Sequence, residues 1–168
     1  WRSVNSSHNP FMLDGMLDEI AARAKQDPWQ FRRALLGGPK ENAKRQLAAL
    51  DLAAEKAGWK SPRPGHTLGI ASIEAFGSFI ACVADISLKG ETVVIHRIVT
   101  AIDCGTVIHP DNVKAQLEGG MVYGLAAVLR GEITLENGAV KQGNFHDYPM
   151  LLMAEMPRTE SYIVPSTA

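Results

Sequence analysis

What this sequence lacks bounds it first. It holds only two cysteines, Cys82 and Cys104, with no CxxC or other metal-ligand spacing, so neither a disulfide framework nor a zinc site is indicated and two buried thiols is the plain reading. No apolar run approaches the roughly 18 residues of a membrane span. No block of lysine or arginine occurs and the formal net charge is −1, which argues against a nucleic-acid surface. Nor is there a GxGxxG after a strand, a P-loop, an HExxH or a GxSxG elbow. His8, His66, His96, His109 and His146 are scattered without zinc spacing and read as structural or surface residues.

What is present is ordinary for a globular domain, 46% hydrophobic and 21% charged. The chain opens on Trp1 without a signal sequence, and both ends read as cuts from a longer parent. Asn9-Pro10 looks like a helix start, with Met12, Met16 and Ile20, flanked by Leu13, Leu17 and Ala21, recurring at helical spacing as one apolar face. In "DPWQFRRALLGG", Asp27 should cap, Pro28 take the first position, Gln30 complete a capping box and Gly37-Gly38 stop the helix. "ENAKRQLAALDLAAEKAG" is a third helix, with Ala43, Leu47, Leu50 and Ala54 on one side and Gly58 at its end.

After the proline-rich "KSPRPG", the pattern changes. "TLGIASIEAF", "SFIACVADISL" and "TVVIHRIVTAI" have strand length and composition, the last two forming a hairpin at Lys89-Gly90. Both alternating sets are largely apolar, which predicts a sheet covered on both faces. A helix begins at Pro110-Asp111, a hairpin turns at Asn137-Gly138, an irregular apolar stretch follows and "ESYIV" is a short strand. The expectation is an α+β (α/β-like) fold, a helical segment over 1–59 followed by a mixed sheet with a packed glycine-bearing helix over 60–168.

That helix is the unusual feature. Gly119, Gly120 and Gly124 lie inside it although each interior glycine costs roughly 1 kcal/mol relative to alanine. Gln116, Gly120 and Gly124 are spaced by four and share one face. Tight packing of that face on protein and a ligand laid along it, read by the Gln116 amide, are equally compatible with the spacing.

The segment "AIDCGTVIHPDNVKAQLEGGMVYGL" resembles the D-C-G, (N/H)-P, Q-x-E-G-G segment of the molybdenum hydroxylases, the family of xanthine dehydrogenase and aldehyde oxidoreductase. "WRSVNSSHNPFMLDGMLDEIAARAKQDPWQFRRALL" is similar to that family's arginine-containing segment and the helices after it. "NFHDYP" before "EMPR" resembles the branch of isoquinoline 1-oxidoreductase large subunits and membrane-associated aldehyde dehydrogenases. The match runs through nearly the whole chain in the family's order.

The resemblance implies a molybdenum–molybdopterin cofactor, in bacteria usually the cytosine dinucleotide form, that inserts water-derived oxygen at an electron-poor carbon of a small aldehyde or N-heterocycle. It implies an iron–sulfur small subunit and the remainder of the large subunit as partners. Carried over residue by residue, Gln116 matches the glutamine that hydrogen-bonds the pterin, Gly119 and Gly120 follow it, and Arg2 matches an arginine in a loop bordering the molybdenum pocket, although "SVNSSHN" departs from the xanthine enzymes there. The family's catalytic glutamate lies downstream of the stretch matching "ESYIVPS", so the chain is read as a fragment without the base, inactive and without bound cofactor. Glu74, Glu118 and Glu155 are read as solvated or structural. The competing reading is a non-catalytic assembly module whose glycine face packs on protein. A hydrolase would need a carboxylate pair or a His-nucleophile pair that the spacing does not supply.

Overall fold

The computed structural model describes residues 3–166. Two compact units divide them: residues up to Ile108 together with those from Arg158 onward, and the intervening His109–Pro157. The fold is α+β.

In the first unit, helices α1 (His8–Arg23), α2 (Pro28–Leu36) and α3 (Glu41–Ala57) precede strands β1 (Thr67–Ala75), β2 (Ser78–Lys89) and β3 (Thr92–Asp103). The sheet runs β1-β2-β3-β6, where β6 is Arg158–Ile163. The first two pairings are antiparallel, whereas β3 and β6 run parallel. The β2–β3 hairpin falls where the Lys89-Gly90 signal put it, and Phe76-Gly77, both at positive φ, turns the chain between β1 and β2.

The helical signals succeed where their chemistry is local. Asp27 caps α2 by accepting from the backbone N–H of Gln30 at 2.9 Å, Pro28 occupies its first turn, and Gly58 ends α3 in the left-handed region. Asn9 does not cap α1: the helix starts one residue before it, after Ser7, whose side chain makes no cap bond.

A core forms where α3 lies on the sheet. Ala49, Leu50, Ala53 and Ala54 pack with Ile70, Ala81, Val83 and Ala101, all nearly inaccessible. Three alanines on α3 and two on the sheet keep the layers close, and Leu50 fills the space between, its burial worth roughly 1.5 to 3 kcal/mol. Arg97 on β3 closes the helix end: it grips Glu160 of β6 with two bonds of 2.9 Å and donates to the Lys56 carbonyl at 2.7 Å, satisfying an acceptor that the last turn leaves free.

The proline-rich connection 60–65 is tied to this sheet. Arg63 donates to one oxygen of the buried Asp85 on β2 at 2.7 Å, and His66 Nδ1 lies 2.6 Å from the other. A β-bulge follows directly at Asp85/Ile86.

One sequence expectation is corrected in this unit, and one question that the sequence left open is decided. The sheet is not uniformly covered on its second face: Ile98, Thr100 and Ile102 of β3 are buried there, but Ile80, Cys82 and Ala84 of β2 are half-buried and Gly69 and Ala71 of β1 are exposed. The apolar stripe Met12, Met16 and Ile20 of α1 faces outward, while α1 turns Asp14, Leu17, Asp18 and Ala21 inward. The reason is Arg32, buried on α2, which demands carboxylates rather than methyl groups opposite it.

The second unit holds α4 (Pro110–Leu129), a small hairpin of β4 (Leu135–Glu136) and β5 (Ala139–Val140), and a short 3-10 turn at Met153–Glu155. Asn137 and Gly138, both at positive φ, make the hairpin turn, as an Asn-Gly pair between short strands requires. Asp147 organises the loop before the final stretch, accepting from the N–H groups of Gly143 and Asn144 at 2.8 and 2.9 Å.

Candidate cofactor-binding face

The segment that carries the family motif begins at the end of β3. Asp103 is buried, accepts from Arg45 of α3 at 2.6 Å and from the N–H of Gly105 at 3.0 Å. The hydrogen bond from Arg45, with that from Gly105, holds the Asp103 carboxyl below the usual carboxylate range against the opposing effect of burial. Arg45 also lies over the Phe79 ring, 4.6 Å from its centroid, and its Nε is buried without a partner among the described residues. Gly105 takes a φ of 73°, open to glycine at no steric cost. The aspartate and the glycine of D-C-G are thus a structural device: a charge that pins the strand end to α3 and a residue that reverses the chain beyond it.

Cys104, between them, is half-buried. Cys82, half-buried in mid-strand, has its thiol pushed up to about 12 by desolvation, which disfavours the thiolate. Both cysteines are free.

Helix α4 starts with His109, whose Nδ1 accepts from the N–H of Asn112 at 3.1 Å, and with Pro110 in its first turn. Of its 20 residues only Ala126 is buried. Gln116, Gly119, Gly120 and Gly124 are exposed, and the Gln116 amide meets no partner among the described residues. A Cβ added at Gly119, Gly120 or Gly124 would find nothing within 4 Å. Within its own unit, therefore, no close neighbour among the described residues requires the three glycines. The face is exposed, and the amide at its near end is free to donate and to accept.

The other candidates sort plainly. Arg2 lies outside the described residues. Glu74 accepts from Asn42 at 3.1 Å, Glu155 pairs with Arg130 and accepts from the Leu152 N–H at 2.9 Å, and Glu118 is exposed on α4. His66 and His96 approach each other, ring centroids 4.4 Å apart, with Ser87 Oγ 2.7 Å from His96 Nε2. Among the described residues no group of three or more His, Cys, Asp or Glu is arranged to hold a metal, and no helix is long and apolar enough to cross a membrane. The Arg45–Asp103 pair was invisible to sequence reasoning, because neither residue type nor spacing signals a contact between positions 58 apart.

Residues 19–157 match the family described as the molybdopterin cofactor-binding domain. The chain belongs to that family. Over 97% of its length the domain is 32% identical to the beta chain of isoquinoline 1-oxidoreductase from Brevundimonas diminuta, covering 21% of that protein. Over 99% of its length it is 33% identical to a membrane-bound aldehyde dehydrogenase (pyrroloquinoline-quinone) of Gluconacetobacter polyoxogenes, covering 24% of it. A nicotinate dehydrogenase subunit of Pseudomonas putida is 26% identical over 98% of the chain and 15% of its own length. The chain thus spans about a quarter or less of these curated relatives. The relatives are oxidoreductases by name, and the family that this chain matches is described as binding the molybdopterin cofactor.

Proposed function

We propose that this chain is a segment of the large subunit of a molybdenum hydroxylase that oxidises small aldehydes or N-heterocycles, and that it contributes the α4 face to the cofactor site. The single observation carrying this reading is the coincidence of the family's Q-x-E-G-G motif with an exposed helix face on which Gln116 is unengaged and Gly119 and Gly120 are open.

In this reading the Gln116 amide, able to donate and accept at once, orients the polar edge of the pterin, and the two glycines let its ring system approach the helix backbone. By the family resemblance Arg2, outside the described residues, would border the metal pocket. The cofactor, proposed in its cytosine dinucleotide form, would supply the metal chemistry for adding water-derived oxygen to an electron-poor carbon. The chain's own part is to bind and orient. The pin between Arg45 and Asp103 holds the start of the motif in register, a positioning role. An iron–sulfur small subunit serves as electron outlet, a partner suggested by relatives that are themselves named as one subunit of several.

The test is Gln116→Ala in the full-length large subunit. Losing one partner of a buried polar contact costs roughly 1 to 3 kcal/mol, so molybdenum per subunit should fall while the circular dichroism of the chain, where Gln116 is exposed, is unchanged. Wild-type molybdenum content would make Gln116 an ordinary surface residue and remove the basis for the reading.

A further inference from the structure

Helix α1 is amphipathic the wrong way round for a surface helix. Its inward side carries Asp14 and Asp18, which hold Arg32, itself 2% exposed: Asp14 Oδ1 lies 3.0 and 2.9 Å from Nε and a terminal nitrogen, and Asp18 Oδ1 lies 2.6 Å from the other. Asp14 also accepts from the Ser72 N–H of β1 at 3.4 Å, so the arrangement is fixed against the sheet as well as α2. Its outward side carries Met12, Met16 and Ile20, successive at i, i+4 and i+8, with Leu13 beside them, and these are 58%, 61%, 43% and 58% exposed. Rotating the helix to hide them would strand a buried guanidinium, which costs far more than exposing a few methylenes. The polar interior therefore forces an apolar exterior.

We infer that the Met12–Met16–Ile20 stripe is covered by the remaining polypeptide of the same large subunit; this rests on the reading that the chain is a segment of such a subunit. Two observations favour that occupant over the others. Relatives alignable to 97% and 99% of this chain are four to five times its length, so a covalently attached neighbour of ample size exists in proteins of this kind. A 16-residue helix is about 24 Å long and about 10 Å wide, and one stripe of it falls several-fold short of the roughly 800 Å² per partner that independent proteins need for stable association. A tethered segment loses no translational freedom on docking, so a small contact suffices.

A lipid surface is disfavoured by charge. Interfacial helices carry lysine and arginine on the polar side, whereas the polar residues of α1 include Asp14, Asp18 and Glu19, the first two already committed to Arg32, and a single Arg23.

Methionine oxidation tests the inference without any substitution, since it follows exposure. The full-length large subunit is treated with hydrogen peroxide, folded and in urea, and the peptides containing Met12 and Met16 are read by mass spectrometry, with molybdenum measured in the same preparation. The expected result is loss of oxidation at both residues in the folded subunit and full oxidation in urea. Equal oxidation in both overturns the inference. So does protection that disappears on dilution together with a dimer in sedimentation, which would mean a second copy, or protection that needs added anionic vesicles. Oxidised Met12 and Met16 in a molybdenum-loaded subunit would sink the inference and spare the proposed function; protected methionines in a subunit that never takes up molybdenum would do the reverse.

Discussion

Arg45 and Asp103, 58 positions apart, meet at 2.6 Å where α3 crosses the end of β3. Because the same carboxylate accepts from the Gly105 N–H, the pair fixes both the helix-to-sheet packing and the path by which the chain leaves the sheet toward the motif helix.

Asp103→Ala should therefore destabilise by more than a surface change. It strands the buried Gly105 N–H, worth roughly 1 to 3 kcal/mol alone, and leaves the Arg45 guanidinium without its acceptor. The urea midpoint should fall with an unchanged denaturant slope. A midpoint equal to wild type would show that the loop finds other acceptors.

Acid should weaken the fold. The Asp103 and Glu160 carboxyls are held down chiefly by Arg45 and Arg97; at Asp85 burial pushes up, but His66 and Arg63 together outweigh it. A carboxyl more acidic in the fold than in the open chain contributes stability that is complete above the unfolded value of about 4 and is lost as pH falls through the lowered folded value. Asp14 runs the other way, raised by burial in spite of its bonds from Arg32 and Ser72. Asp147 is also lowered, by the Asn144 and Gly143 N–H groups that it accepts from; with four groups against one, urea midpoints should drop as pH is lowered from about 5 toward 3, and Glu160→Gln should flatten the drop. Midpoints that stay level over that range would contradict this account.

The glycines divide into two kinds. At Gly120 and Gly124 a methyl group meets open space, so Gly120→Ala and Gly124→Ala should each stabilise the isolated chain by up to about 1 kcal/mol, while lowering molybdenum content in the full-length subunit. At Gly131 an added Cβ would lie 2.8 Å from the Tyr148 hydroxyl and 3.2 Å from the Ala127 backbone, so Gly131→Ala should cost about 1 to 3 kcal/mol. Thermal melts of the three variants, with elemental analysis of the subunit, separate these outcomes. Destabilisation at Gly120 in the isolated chain would mean that the α4 face has a protein neighbour there.

The purified chain should contain no stoichiometric molybdenum and oxidise no aldehyde, since it spans only about a quarter or less of the relatives it resembles. About one molybdenum per chain by elemental analysis, or dye-linked turnover above blank, would refute that.

Local chemistry made much of the fold legible. Asp27 before Pro28, Gly58 after Ala57 and Asn137-Gly138 between short strands each announced themselves because cap and turn geometry depend on two or three adjacent residues. Pairing of β6 with β3 did not, since a parallel partner arrives only after the whole of 109–157 has intervened. The facing of α1 was not legible for a related reason: Met12, Met16 and Ile20 mark an apolar stripe, but which side turns inward was decided by Arg32 on another helix. At the candidate site the spacing of Gln116, Gly120 and Gly124 pointed to one helix face, but not to its openness: within its own unit no described residue lies close to those glycines.

The open stripe on α4 also ties order to occupancy. With three glycines inside it, α4 has weak intrinsic helicity, each lowering it by roughly 1 kcal/mol relative to alanine, and only Ala126 is buried to compensate. Whatever lies along Gln116 and the glycines must favour the wound helix over the frayed one, and by reciprocity a wound helix favours that occupant by the same factor. Amide hydrogen exchange along α4 thus becomes a gauge of loading: fast when the face is bare, slow when it is filled, with the two rates linked by the affinity itself.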